Sequence, residues 1–236
     1  MHKTLSVEFF GMPGVGKSVL SGKVAQILST NEIPVEQTAY LMSHQMSRFK
    51  RAFIKLLHVI KELLLHPRYA FLSIKTILQT QQKTPLDLIK VIFNWLFVSS
   101  LIRNKRYYNG VSLFDEGIFQ ALWSIGISGK DGTLRIMSPL FSTMPIPNIV
   151  VVPQASFATV KSRMDGRERH DSRLEKESTE LLEFAGYLFS EIKAILQSLR
   201  EEHNDLHVYI VDNDFTEDLE INAKKITSEI KRFLNA

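Results

Sequence analysis

Gly11-Met12-Pro13-Gly14-Val15-Gly16-Lys17-Ser18 places glycines, an ammonium and a hydroxyl within one short turn. Glycine lets successive backbone N–H groups curl around an anion where side chains would collide. Lys17 adds a compact positive charge for the outer phosphates, and the Ser18 hydroxyl is suited to magnesium. Val15 and Val19 carry the backbone through this turn into a helix whose positive end faces the same anion. With glycine near 7% of ordinary usage, a chance match in a chain of this length is roughly one in a hundred. This Walker A pattern reads as a cradle for ATP (or GTP) with Mg2+.

Phosphoryl chemistry needs further charge, because positioning and neutralisation do most of the work. Val111 to Phe114 reads as a buried strand and runs into Asp115-Glu116-Gly117. Asp115 is placed to hold magnesium, directly or through water, and Glu116 to orient a hydroxyl or water as general base. The plainer alternative is a solvated loop with an ordinary acidic pair. A second charged segment, 163–175, holds Arg163, Arg167, Arg169 and Arg173. Asp165-Gly166 signals a turn, and Ser172 with Glu175 forms a capping box, so a short basic lid between two helices is expected. Arginine suits such a lid because its planar fork meets phosphate oxygens in pairs. A solvated corner paired with its own acids is the alternative. Asp212, ending the last strand candidate, is expected to border the nucleotide base, and a plain strand-to-helix turn fits as well. His203 and His207 straddle a helix-to-strand junction, which does not suit zinc.

The elements that must position these groups alternate. Strand candidates lie at Leu5 to Phe10, Ile33 to Tyr40, Val111 to Phe114, Ile149 to Val152 and His207 to Val211. A helix is expected from Lys17 to Ser29, another from Ser172 to about Glu202, and alternation of this kind implies parallel pairing. The segment 41–106 departs from it and reads as successive helices. Phe53, Leu56, Leu57, Ile60, Leu63 and Leu64 form one stripe, with Lys50, Arg51, Lys55, His58 and Lys61 opposite. Pro67 ends that helix. Thr84 caps the next, with Pro85 in its first turn and Asp87 favouring the dipole. The expected role of 41–106 is a helical subdomain packed over the substrate cleft. Peripheral membrane contact through the basic amphipathic helix is the lesser reading.

The chain has 236 residues, 44% hydrophobic and 23% charged, which suits one domain with a real core. It has no cysteine, which excludes disulfides and thiolate metal sites. A net charge of +4 is too small to argue for nucleic acid. No signal peptide is read at the start, and a cytoplasmic location is the expectation.

Taken together, Gly11 to Ser18, Asp115 after the third strand, Pro147 to Val152, the basic segment 163–175 and Asp212 before a last helix resemble the thymidylate-kinase-like group of P-loop nucleotide and nucleoside kinases. The resemblance spans the chain outside 41–110 and is divergent, since Glu116-Gly117 stands where an arginine is usual after the acid. It implies a P-loop NTPase three-layer α/β sandwich, with a five-stranded parallel sheet, a helical insertion gripping the acceptor and an arginine lid. It further implies that Lys17, Ser18 and the lid arginines serve the phosphate donor, and that Asp115 serves magnesium or the acceptor. The resulting reading is phosphoryl transfer to a small-molecule acceptor: a nucleoside monophosphate, a nucleoside or a sugar. The competing readings are an ATPase or GTPase acting on a protein or membrane partner, and a module that binds nucleotide without turnover. A homodimer stays open.

Overall fold

The computed structural model describes residues 4–37, 46–105, 110–165 and 179–235. In chain order these form β1 (Leu5–Phe9), α1 (Lys17–Thr30), β2 (Val35–Glu36), α2 (Arg48–Leu65), α3 (Pro67–Gln79) and α4 (Pro85–Lys105). There follow β3 (Val111–Phe114), α5 (Ile118–Ser128), α6 (Thr133–Met137), a 3-10 turn, β4 (Ile149–Gln154), α7 (Phe157–Asp165), α8 (Thr179–Glu202), β5 (His207–Asp212) and α9 (Thr216–Asn235).

The five strands form one sheet of order β2-β3-β1-β4-β5, every described pair parallel. Alternation along the strands sends residues to two apolar layers. Leu5, Val7 and Phe9 join Leu20, Val24 and Leu28 of α1 and Ala223, Ile226 and Ile230 of α9. On the other face, Phe10, Phe114, Val150 and Val152 join the helices that follow β2 and β3. Covering both faces is what a parallel sheet requires. Since β1 lies between β3 and β4, the crevice at its carboxyl end is a topological switch point, where such sheets hold their ligands.

Most expected elements are present. The second strand is shorter than expected, with Val35–Glu36 paired to Val111 and Ser112; residues 38–40 lie outside the described segments. Pro67 separates two helices and also opens the second, where its missing N–H costs no helical bond. Thr84 caps α4 through its hydroxyl, which accepts from the Asp87 N–H at 3.1 Å. By length and composition Pro85–Asn104 could span a membrane, yet half of it is buried, with Trp95 and Leu101 fully enclosed.

The apolar stripe of α2 is turned outward. It faces solvent, while Arg51, Ile54, Lys55, His58, Val59 and Glu62 are turned toward the protein. Glu62 and Arg103 form an ion pair at 3.1 Å, His58 Nδ1 lies 3.4 Å from Ser100 Oγ, and Lys55 Nζ sits 4.9 Å from the Phe97 ring centre. Nearby, Tyr69 and Ser99 share a hydrogen bond of 2.8 Å, and Trp95 donates to Ser73 at 3.1 Å. These helices meet through hydrogen bonds as well as apolar contact, with Val59 and Ile54 of α2 in the shared core.

The start of α5 depends on a residue far away in sequence. No side chain of its own caps it. The Glu8 carboxylate on β1 instead accepts from the N–H groups of Phe119 and Gln120 at 2.9 and 3.0 Å. A Cβ on Gly117 would overlap that carboxyl group. Gly117→Ala is therefore expected to destabilise the protein by about 2 kcal/mol, as overpacking does. A lowered urea midpoint with unchanged m-value would report it.

Candidate active site

β1 delivers the chain to Gly11 with Phe10 buried and its N–H bonded to the Val151 carbonyl at 2.9 Å. The turn that follows needs its glycines. Gly14 and Gly16 have φ of 85° and 90°, a left-handed conformation that side chains disfavour. A Cβ on Gly16 would lie 2.6 Å from Asn213 Nδ2, so the position is closed sterically as well. α1 begins at Lys17 immediately after this turn and directs its N-terminal amides to the same place.

Lys17 Nζ donates to the carbonyls of Gly11 and Met12 at 2.5 and 3.0 Å, which holds the ammonium at the mouth of the loop. Ser18 Oγ lies 3.5 Å from Asp115 Oδ2. Thus the two expected magnesium ligands, 97 residues apart in sequence, face each other. Both are oxygen donors, the chemistry a hard divalent cation prefers. Loop residues 12–14 and 16–19, together with Asp115, Glu116, Gln120 and Trp123, enclose a cleft of about 360 Å³. Gly11 and Val15 lie beneath it in the same turn. Val19 is exposed at its rim.

Other expected residues lie elsewhere. Asp212 borders a separate groove between β5 and α9 with Asp218 and Asn222, and its carbonyl accepts from the Asn222 amide. Arg163 does not line the cleft, although its guanidinium lies 3.8 Å from where a Cβ on Gly16 would stand. Its guanidinium donates to the carbonyls of Asn213 and Asp214 at 2.8 and 3.0 Å, committing it to the turn after β5. Arg167, Arg169, Arg173 and the capping box at Ser172 lie outside the described residues. α7 is described as far as Asp165, and the turn expected at Asp165-Gly166 runs into residues outside the described segments.

The sequence reading passed over four residues that the fold brings to the site. Asn213, 3% exposed, donates to the Val15 carbonyl at 2.7 Å and so braces the loop from the last strand. Gln120 accepts from the Gly11 N–H at 3.5 Å while its own N–H bonds Glu8. Lys55, on the inward side of α2, interacts electrostatically with Glu116 and with Arg51; burial holds its ammonium below the usual lysine range. The only sequence signal for it was membership in the basic side of the α2 stripe.

Glu8 is the fourth. It is fully buried, and its Oε2 has no hydrogen-bond partner among the described residues. Burial pushes its pKa up to about 8, against the lowering effect of the α5 N–H groups. An acid whose folded pKa is raised binds more protons folded than unfolded between the two values. Its neutral-form stabilisation is full below the ordinary glutamate pKa of 4.5 and is lost as pH rises to about 8. Stability is expected to fall by up to about 1.4 kcal/mol per pH unit across that window. Glu8→Gln, which keeps the acceptor oxygen, should flatten the slope in denaturant titrations at pH 5 through 8.

No family model matches the chain, and no curated protein does. Solved structures do. Deoxyadenosine kinase from M. mycoides, with products dCMP and a flexible dCDP bound, superposes with a TM-score of 0.55 at 14% identity over 95% of this chain and 100% of that one. The same enzyme with dATP bound gives 0.52. Thymidylate kinase from Candida albicans gives 0.55 at 14% identity, over 97% of this chain and 93% of that one. This chain has the fold of the P-loop nucleoside and nucleotide kinases. At 14% identity the likeness to these kinases is one of architecture, and the chemistry rests on the residues described above.

Proposed function

We propose that this protein transfers a phosphoryl group from ATP, as its magnesium complex, to a small acceptor carrying an anionic group, of which a nucleoside monophosphate is the model. The observation that carries the reading is the arrangement around one cleft: the glycine turn, Lys17 at its mouth, Ser18 facing Asp115, and Glu116 in the lining beside them. The kinase architecture supports it.

In this reading the main-chain amides of residues 14–18 hold the donor phosphates and Lys17 neutralises their outer oxygens. Ser18 and Asp115 would hold magnesium, whose contribution is to neutralise charge on the phosphates. An oxygen of the acceptor bonds to the γ-phosphorus as the bridging bond to the β-phosphate breaks and ADP leaves; Glu116 takes the proton where that oxygen is a hydroxyl, whereas an ionised monophosphate oxygen carries none to remove. Lys55 and Arg51, presented by the inward face of α2, attract the anionic end of the acceptor and set its distance from the cradle. Arg163 supports the cradle indirectly, by fixing the turn that carries Asn213. The segment 166–175 would supply the closing arginines Arg167, Arg169 and Arg173.

The alternative, hydrolysis of ATP or GTP driving a protein or membrane partner, uses the same cradle with Glu116 activating water. Acceptor dependence separates the two. ADP release measured across nucleosides, nucleoside monophosphates and sugars should rise well above the rate without acceptor for one class. A rate indifferent to every acceptor would replace the kinase with a hydrolase. Lys17→Ala should abolish turnover in either case while the protein stays folded. Asp115→Asn should lower magnesium-dependent turnover by about 100-fold or more with little change in nucleotide affinity, as expected for a group acting in the transition state. Lys55→Ala should raise the acceptor KM more than it lowers kcat.

A further inference from the structure

The inverted packing of α2 leaves a feature that the catalytic reading does not use. Its outward side shows Phe49, Phe53, Leu56, Leu57, Ile60 and Leu64 to solvent, with Phe49 90% and Leu64 73% exposed. At 3.6 residues per turn these positions fall on one continuous face, and 18 residues make it about 27 Å long. Soluble proteins seldom expose an apolar strip of this kind without a use for it. On α3, the exposed positions Arg68, Phe71, Lys75 and Leu78 repeat at helical spacing and continue the same character beyond Pro67.

Charge decides between occupants. The exposed ionisable side chains of α2 are Arg48, Lys50 and Lys61, all basic. Its one acid, Glu62, is turned inward and consumed by Arg103. A second copy docked by a two-fold axis would set these basic borders against themselves, a like-charge arrangement that opposes association. An anionic lipid surface accepts both features: the aromatic and leucine side chains enter the acyl boundary while the flanking bases meet the headgroups. We infer that the outward face of α2 docks this protein on an anionic lipid bilayer, with the helix axis in the plane of the interface. The inward side of the same helix, with Lys55 against the Phe97 ring and Glu62 paired to Arg103, is then undisturbed by adsorption. The inference is independent of the kinase reading, because it concerns the opposite face of the helix and is read without turnover.

Flotation of the purified full chain with phosphatidylcholine vesicles, and with vesicles containing phosphatidylglycerol, tests it. The protein is expected to float with the anionic vesicles and far less with the neutral ones. Phe53→Glu combined with Leu64→Glu should weaken binding at least about tenfold, since each buried apolar side chain contributes strongly. Arg48→Gln and Lys50→Gln should weaken it about fivefold per charge removed. All four positions are exposed, so thermal unfolding and calorimetric binding of magnesium–ATP should match the unaltered chain and exclude misfolding as the cause. Protein that stays in solution with anionic vesicles would overturn the inference. So would equal flotation with neutral vesicles, equal flotation of the glutamate variant, or a dimer in sedimentation velocity that the glutamate variant dissolves.

Discussion

Backbone held in a left-handed turn at Gly14 and Gly16 is the constraint around which this molecule is arranged. That conformation is strained for any other residue, and it turns successive main-chain amides toward one side as an anion cradle does. Each surrounding element contributes to keeping it. β1 and β4 fix where the turn begins, through the bond between Phe10 and Val151. Asn213 fixes the middle of the turn by holding the Val15 carbonyl, and Arg163 in turn fixes Asn213. Gln120 links the first glycine to the helix that follows Asp115 and Glu116. The cradle and the acidic pair are thereby parts of one hydrogen-bonded unit, with Glu8 beneath it and capping that helix.

Much of this was legible in the sequence because the information was local. A glycine turn between a strand and a helix, a strand ending in two acids, and a Thr-Pro-x-Asp helix start each specify themselves within a few residues. The departures share a cause as well. An apolar stripe normally marks the face that packs inward, and nothing near α2 reveals that Glu62 pairs with a residue 41 positions later. Glu8 sits where strand alternation puts it on a face opposite Leu5, Val7 and Phe9. Its burial follows only from α5 crossing that face, and its partners are more than a hundred residues away. Asn213 was missed by one residue in favour of Asp212, because the end of a strand can be read from pattern but the side its last residues face cannot.

The helical insertion between β2 and β3 separates its two surfaces by chemistry. Its interior depends on directional contacts, such as Trp95 to Ser73 and Tyr69 to Ser99, which fix helix positions more narrowly than apolar packing alone.

The bond from Asn213 to Val15 joins points 198 residues apart. During synthesis the glycine turn emerges 198 residues ahead of its brace. An unfinished chain therefore carries the motif without the geometry described here. A ligand held by the finished turn would favour the braced fold and have little hold on fragments that lack Asn213.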